Sequence, residues 1–222
     1  MADRPILFSG PMIQALMEGR KTQTRRVLKP QPSPGVVREC IMAARDIPNT
    51  SGFAVGDRLW VRESCAFVGS VDPQWVLYRA SGYARECRRH GFDLPYPPEP
   101  KWRPSIHMSR GASRLTLTVT GVRVERVQDI SAADATAEGL AMRGKGGSKC
   151  KYGIPDRDGQ PGNEDHGWLW QDWCIDPRNA FGWLWNSIYE ARGYGWAENP
   201  WVVALTFTVS KHNIDRPKEG NE

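Results

Sequence analysis

Apolar residues recur at helical spacing in two parts of the chain and alternate with polar ones in several others. Met12, Ile13, Leu16 and Met17 fall on one face of a helix, Ser9-Gly10-Pro11 is a start signal and Gly19 a stop signal. That pattern predicts a helix ending near Glu18. The short apolar run "PILFSG" (5–10) in front of it predicts a first strand, and "TRRVLK" after it stays extended until "PQPSPG" (30–35) breaks the chain. Phe181, Leu184, Trp185 and Ile188 predict a second amphipathic helix over 179–192.

Strand patterns dominate the remainder. "GDRLWVRESCAFV" (56–68) opens on a Gly-Asp turn and runs on as an apolar-rich strand, with "VLYRA" (76–80) as its partner. In "RLTLTVTGVRVERVQ" (114–128), Leu115, Leu117 and Val119 alternate with threonines, and Val122, Val124 and Val127 continue beyond a bend or bulge at Gly121. "SAADATAEGLAM" (131–142) predicts a short helix that starts on a Ser131/Asp134 capping box and ends at Gly139. "PWVVALTFTVS" (200–210) is a last strand. The proline-rich stretch 81–104 predicts a long loop, and the Gly-, Lys- and Asp-rich stretch 143–176 a mobile one.

Most of these strands lie too close together for helical crossovers. The expected fold is therefore α+β, a small mixed β-barrel with short helices and long loop insertions. The expected organisation is a single domain over 1–214, with insertions near 30–53, 81–105 and 143–177 and a disordered tail over 215–222.

Composition narrows the setting. A chain of 222 residues with a quarter of them charged and a mean hydropathy of −0.55 suits one globular domain. No apolar run reaches the roughly 18 residues of a membrane span, and "MADRPILFSG" lacks the features of a signal peptide, which predicts a cytoplasmic protein without a membrane partner. Cys40, Cys65, Cys87, Cys150 and Cys174 are odd in number, widely spaced and without a C-x-x-C pair, as expected of free thiols. Cys87, His90, His166 and Cys174 lack the spacing of a zinc finger, so neither a metal nor a cofactor is expected. A net charge of +5 is compatible with an anionic partner but does not single one out.

The chemistry concentrates in "EGRKTQTRRVLK" (18–29). Lys21 and Thr24 stand three residues apart just after a helix end, near enough for the amine to reach the hydroxyl if the chain turns there. A threonine hydroxyl needs a base to become a nucleophile, and a lysine serves as one when burial or neighbouring cations disfavour its proton. Arg20, Arg25 and Arg26 are such neighbours. Glu138, in the last turn of its predicted helix, faces the negative end of the macrodipole, an unfavourable place for an idle carboxylate. Glu63, inside "LWVRES", is a rival acid that could instead pair with Arg62 or Arg58. The plain alternative makes the cations a solvated face, Thr24 a turn residue and Glu138 a surface glutamate.

"EGRKTQTRR" behind an apolar helix, then "GDRLWVRE", "ATAEGLAM" and "PWVVALTFTV", resembles the ASCH domain, a relative of the PUA domain; the family signature G-x-K-x-x-x-x-R falls on Gly19, Lys21 and Arg26. The pattern is also similar to that of phage and prophage proteins. The resemblance is strongest, at "GRKTxTxR", to the small bacterial members that cleave N4-acetylcytidine to cytidine and acetate. It implies Lys21, Thr24 and Glu138 as the catalytic set; the stretch then forms the wall of a nucleoside-sized pocket, with Arg26, Arg25, Glu63 and Trp60 as the expected substrate contacts.

Two readings follow. In the first, the protein is a metal-independent amidohydrolase in which Thr24 attacks, Lys21 is the base and Glu138 the acid. In the second, it is a PUA-like module that binds RNA or single-stranded DNA, with Trp60, Trp75 or Trp102 as stacking platforms. A third, docking of a protein through the 143–177 loop, has only loop length behind it.

Overall fold

The computed structural model describes residues 1–32, 52–69, 75–144, 149–162 and 167–216. Their backbone is dominated by one five-stranded sheet. Strands β1 (Asp3–Leu7), β2 (Gln23–Val27), β3 (Arg58–Arg62), β6 (Thr116–Arg126) and β9 (Trp201–Ser210) lie in the order β1-β3-β6-β9-β2. β1 runs parallel to β3, and the other pairs are antiparallel. β6 and β9 are its long central pair, and their register shifts between Val119 and Gly121, the expected bend.

Helix α1 (Gly10–Met17) covers one part of the sheet through Met12, Ile13 and Leu16. It stops as its sequence demands, with Gly19 at φ 77°, a left-handed conformation that glycine adopts without a Cβ clash. Helices α3 (Ala132–Ala137) and α4 (Pro177–Tyr189) pack on each other. Asp176 caps α4 by accepting from the Arg178 N–H at 2.8 Å, and Pro177 occupies its first turn. Phe181 and Trp185 carry α4 into the same core as Leu117, Val203 and Leu205.

Three expectations change. The run 56–68 is not one strand: β3 ends at Arg62, and β4 (Cys65–Val68) pairs with β5 (Trp75–Tyr78) in a separate small sheet. The break falls at Glu63, whose buried carboxylate is held by Arg114, and at Ser64 and Cys65, whose backbones bond to Arg79 and Arg103. The stretch 81–104 is not wholly a loop, since helix α2 (Tyr83–Arg89) occupies its start. Buried Glu86 anchors that helix by accepting from the Tyr78 N–H at 3.1 Å. Finally, the described parts of the stretch 143–176 are pinned rather than free. β7 (Ala141–Arg143) pairs with β8 (Lys151–Gly153), Tyr152 bridges to Cys174, and Trp173 is buried.

The arrangement is α+β. Its main sheet is open among the described residues, with no ladder joining β1 to β2. The two edges nevertheless approach, because Arg26 of β2 donates from Nη2 to the Leu7 carbonyl of β1 at 3.0 Å. Asp215 pairs with Arg110 at 2.6 Å, and Arg110 also pairs with Asp3. The rest of the predicted tail (217–222) and most of the predicted insertion 30–53 lie outside the described residues. No helix among the described residues is long and apolar enough to cross a membrane.

Candidate active site

Residues 117 apart in sequence meet because the turn between α1 and β2 is zipped to the end of α3. The Thr22 N–H donates to the Ala137 carbonyl, the Lys21 N–H to Ala15, and Lys21 and Glu138 form an isolated antiparallel bridge. Arg20 donates to the Gly139 carbonyl. Gly139 makes the approach possible, since a Cβ there would lie 3.0 Å from the Ala15 Cβ and 3.2 Å from the Lys21 Cβ, at a φ of 107° that side chains rarely adopt. Gly139→Ala is accordingly expected to destabilise the protein by about 2–4 kcal/mol, combining backbone strain with overpacking. A denaturation midpoint within error of the wild type would show that the contact yields freely.

The Lys21 ammonium lies at the centre of the junction, 2 % exposed. It donates to Glu138 Oε2 at 2.8 Å and to the Glu138 carbonyl at 2.7 Å. Burial pushes its pKa below the ordinary lysine value. Glu138 opposes that shift, and the Arg26 and Arg25 charges add to it. Burial is thus the leading cause, the opposing pull of Glu138 comes next, and the neighbouring cations come last.

The other Glu138 oxygen accepts from Arg25 Nη1 at 3.1 Å. Arg25, fully buried, also donates twice to Glu125 Oε1, at 2.9 and 2.7 Å, and to Asp134 Oδ2 at 3.3 Å. Gln23 and Arg123 complete the cluster by donating to Asp134 at 2.7 and 2.8 Å. Burial acts to raise the Asp134 carboxyl, but the bonds from Arg123 and Gln23 hold it below its ordinary value. Three cations, Lys21, Arg25 and Arg123, balance three carboxylates, Glu125, Asp134 and Glu138. Such a balance is what allows so many charges under a protein surface.

Thr24 is buried on the opposite face of β2 from Arg25. Its hydroxyl accepts from Arg26 Nη1 at 2.6 Å and makes no hydrogen bond with Lys21. Phe8 links the two groups: the Lys21 ammonium lies 5.5 Å and the Arg26 guanidinium 5.1 Å from its ring centre. Lys21 and Glu138 are therefore in direct contact, while Thr24 joins them only through Arg26 and Phe8.

The remaining candidates lie elsewhere. Glu63 is clamped by Arg114 through two bonds of 2.8 Å and shares no hydrogen bond or ion pair with Lys21, Thr24 or Glu138; burial pushes its carboxyl up, against the pull of Arg114. Its partner is neither Arg62 nor Arg58. Trp60 is half-buried on β3 beneath the Arg62 guanidinium. Trp75 is exposed but already packed with His90 and Phe92, and Trp102 donates to Glu99. Of the zinc candidates, Cys87 is buried, Cys174 is half-buried, and His166 lies outside the described residues. No group of three metal-ligating side chains occurs among the described residues.

Two clefts open nearby. One, of about 360 Å³, is lined by Phe8, Ser9, Glu63, Arg79 and Arg157 among others; the second, of about 510 Å³, by Gln14, Ser81, Arg85, Arg89 and Lys211 among others. Lys21, Thr24 and Glu138 line neither, but Phe8 belongs both to the smaller cleft and to the cover of Lys21. Phe8, Glu125, Asp134 and Arg123 are the neighbours that sequence reasoning missed. Asp134 had a signal in the sequence, since a full capping box carries Glu or Gln at that position; in the structure Ser131 accepts from the Asp134 N–H, and the carboxylate goes to Gln23, Arg25 and Arg123. Comparison of the chain with family models, curated proteins and solved structures gives no match.

Proposed function

We propose that the protein is a cytoplasmic ASCH-type amidohydrolase that acts on an acylated nucleobase or nucleoside such as N4-acetylcytidine. The open sheet, its edges drawn together by Arg26, is read as the family's barrel left unzipped at one seam. The observation that carries the chemistry is the buried Lys21–Glu138 contact of 2.8 Å, in which burial disfavours the lysine proton. Passing one proton across that contact gives an amine and a carboxylic acid, a base and an acid side by side.

From that state the cycle closes. Lys21 takes the Thr24 hydroxyl proton, directly or through one water, as Oγ1 bonds to the acyl carbon. The C–N bond then breaks and the leaving amine takes the Glu138 proton, leaving an acyl-threonine ester beside an ammonium and a carboxylate. Water attacks the ester carbon and gives its proton to Glu138, while the threonine oxygen recovers one from Lys21. Acid and free nucleobase depart with the pair restored. Arg26, bonded to the Thr24 hydroxyl, orients the nucleophile, and Phe8 must move aside for substrate to reach it from the cleft. Arg25 positions Glu138 rather than touching substrate.

The test is incubation of the purified chain with N4-acetylcytidine and related acylated nucleosides, with chromatographic detection of the free nucleoside. Turnover is expected; its absence across that series would refute the reading.

A further inference from the structure

The Lys21–Glu138 pair is one end of a larger charge set, and Glu125, Asp134 and Arg123 have no part in the cycle proposed above. Gln23 and Arg25 lie two apart on β2, Arg123 and Glu125 two apart on β6, so each pair shares a face of the sheet. β9 runs between those strands, and its register sets Ala204 between Arg25 and Arg123. Only a methyl group stands in the way, and the Arg25 side chain crosses β9 to reach Glu125. Asp134 lies one helical turn ahead of Glu138 at the other side of the guanidinium.

All five N–H groups of that guanidinium are engaged. Two bond to Glu125 Oε1 at 2.9 and 2.7 Å, one to Asp134 at 3.3 Å, one to the Gln23 amide oxygen at 3.3 Å and one to Glu138 Oε1 at 3.1 Å. Glu138 thus holds one bond of the five, and the two shortest belong to Glu125. When a proton passes from Lys21 to Glu138 both become neutral, and Arg25 and Arg123 still face Glu125 and Asp134, two charges against two. Without Glu125 the buried Arg25 would depend for its counter-charge on Glu138 and on an Asp134 shared with Arg123, and burial makes a stranded cation costly.

We propose that Glu125 and Asp134 are positioning residues of the reaction: they hold Arg25 in charge balance, so that Glu138 is free to carry the proton that Lys21 gives up. This role rests on the amidohydrolase reading above, whereas the charge relation beneath it belongs to the pair alone. The other groups around the pair act differently. Arg26 and Arg25 face Lys21 and, with burial, disfavour its proton; Arg20 is held by Glu18 at 2.6 Å and by the Gly139 carbonyl; α4 meets Arg25 with the uncharged Phe181 ring at 5.9 Å.

The experiment compares Glu125→Gln, Asp134→Asn and Arg123→Gln in two readouts: initial rates on N4-acetylcytidine over a pH series, and titration of the Lys21 Nζ resonance in protein with isotope-labelled lysine. Glu125→Gln keeps the shape and removes one negative charge beside Arg25. Its kcat should fall about ten-fold with KM unchanged, and both the alkaline fall of the rate and the Lys21 titration should move down by about one pH unit. Asp134→Asn should move both the same way by less, because its bond to Arg25 is the longer one. Arg123→Gln removes a positive charge from a half-exposed side chain, so it should move both up by about half a unit and raise kcat about two- to three-fold. A merely structural role would lower the rate in all three variants and move no titration in opposite senses. Shifts of one sign in all three, an unmoved Lys21 in Glu125→Gln, or a loss carried wholly by KM would overturn the assignment. If the melt shows Glu125→Gln unfolded, the opposite signs expected of Asp134→Asn and Arg123→Gln carry the decision. Turnover with every titration unmoved removes this inference alone; shifts in the expected senses without any turnover remove the enzyme and leave the charge balance around the pair.

Discussion

Glu138→Gln is expected to destabilise the protein by about 3–5 kcal/mol, because it leaves the Lys21 ammonium buried without its counter-charge. In a chain of 222 residues that corresponds to a fall in Tm of about 6–20 °C. Lys21→Met should cost less, since Glu138 keeps Arg25 at 3.1 Å, and the double variant should recover part of the Glu138→Gln loss by removing the stranded charge. The sign of the pH dependence is fixed by the causes of the Lys21 shift. Glu138 is the influence that raises it, so without Glu138 only burial, Arg26 and Arg25 remain, and all three lower it. Between that depressed value and the ordinary 10.5, the unfolded chain holds the proton and the folded one does not. Stability of Glu138→Gln therefore climbs as pH rises through that window, and the deficit is full below it. Denaturant melts at neutral and at alkaline pH measure both effects. A variant as stable as the wild type at neutral pH would mean that the carboxylate does not support the ammonium.

How much of this was legible in the sequence follows from how local each interaction is. α1 with its Gly19 stop, the bend in β6 at Gly121, and β9 rest on neighbours within a few residues, and the apolar pattern shows them. α2 left no such trace. Its buried positions are Glu86 and Cys87, and Glu86 is inside because it accepts from Tyr78 and pairs with Arg89, which periodicity reads as polar and therefore outside. The break after β3 depends likewise on Arg114, 51 residues from Glu63.

The site divides in the same way. Thr24 and Arg26, two apart on a strand, had to share a face. The partners of Arg25 lie 100, 109 and 113 residues away, and a lone arginine in a basic run gives no sign that three carboxylates will close over it. The run that looked like a solvated cationic face therefore splits. Lys21 and Arg25 are buried inside a neutral cluster, while Arg20 and Arg26 stay half-buried at its edge.

Lys21→Ala and Thr24→Ala are each expected to lower turnover of N4-acetylcytidine by about 10³-fold or more, and the double variant should be hardly worse than either. Base and nucleophile act in one step, so removing either removes that step and the losses do not add. Arg26→Ala should spare part of the rate, since its bond orients the hydroxyl without taking the proton. Lys21→Arg should be as inactive as the alanine variant, because a guanidinium keeps its proton at any accessible pH. The active state keeps one proton in the Lys21–Glu138 pair, on the carboxyl rather than the amine, so the wild-type rate should stay level with pH while the pair holds that proton and fall once rising pH removes it. Initial rates over a pH series, with each variant's fold checked by its melt, decide the matter. If Lys21→Arg keeps most of the wild-type rate, the lysine serves only as a charge that anchors Glu138, and Thr24 must lose its proton to another group.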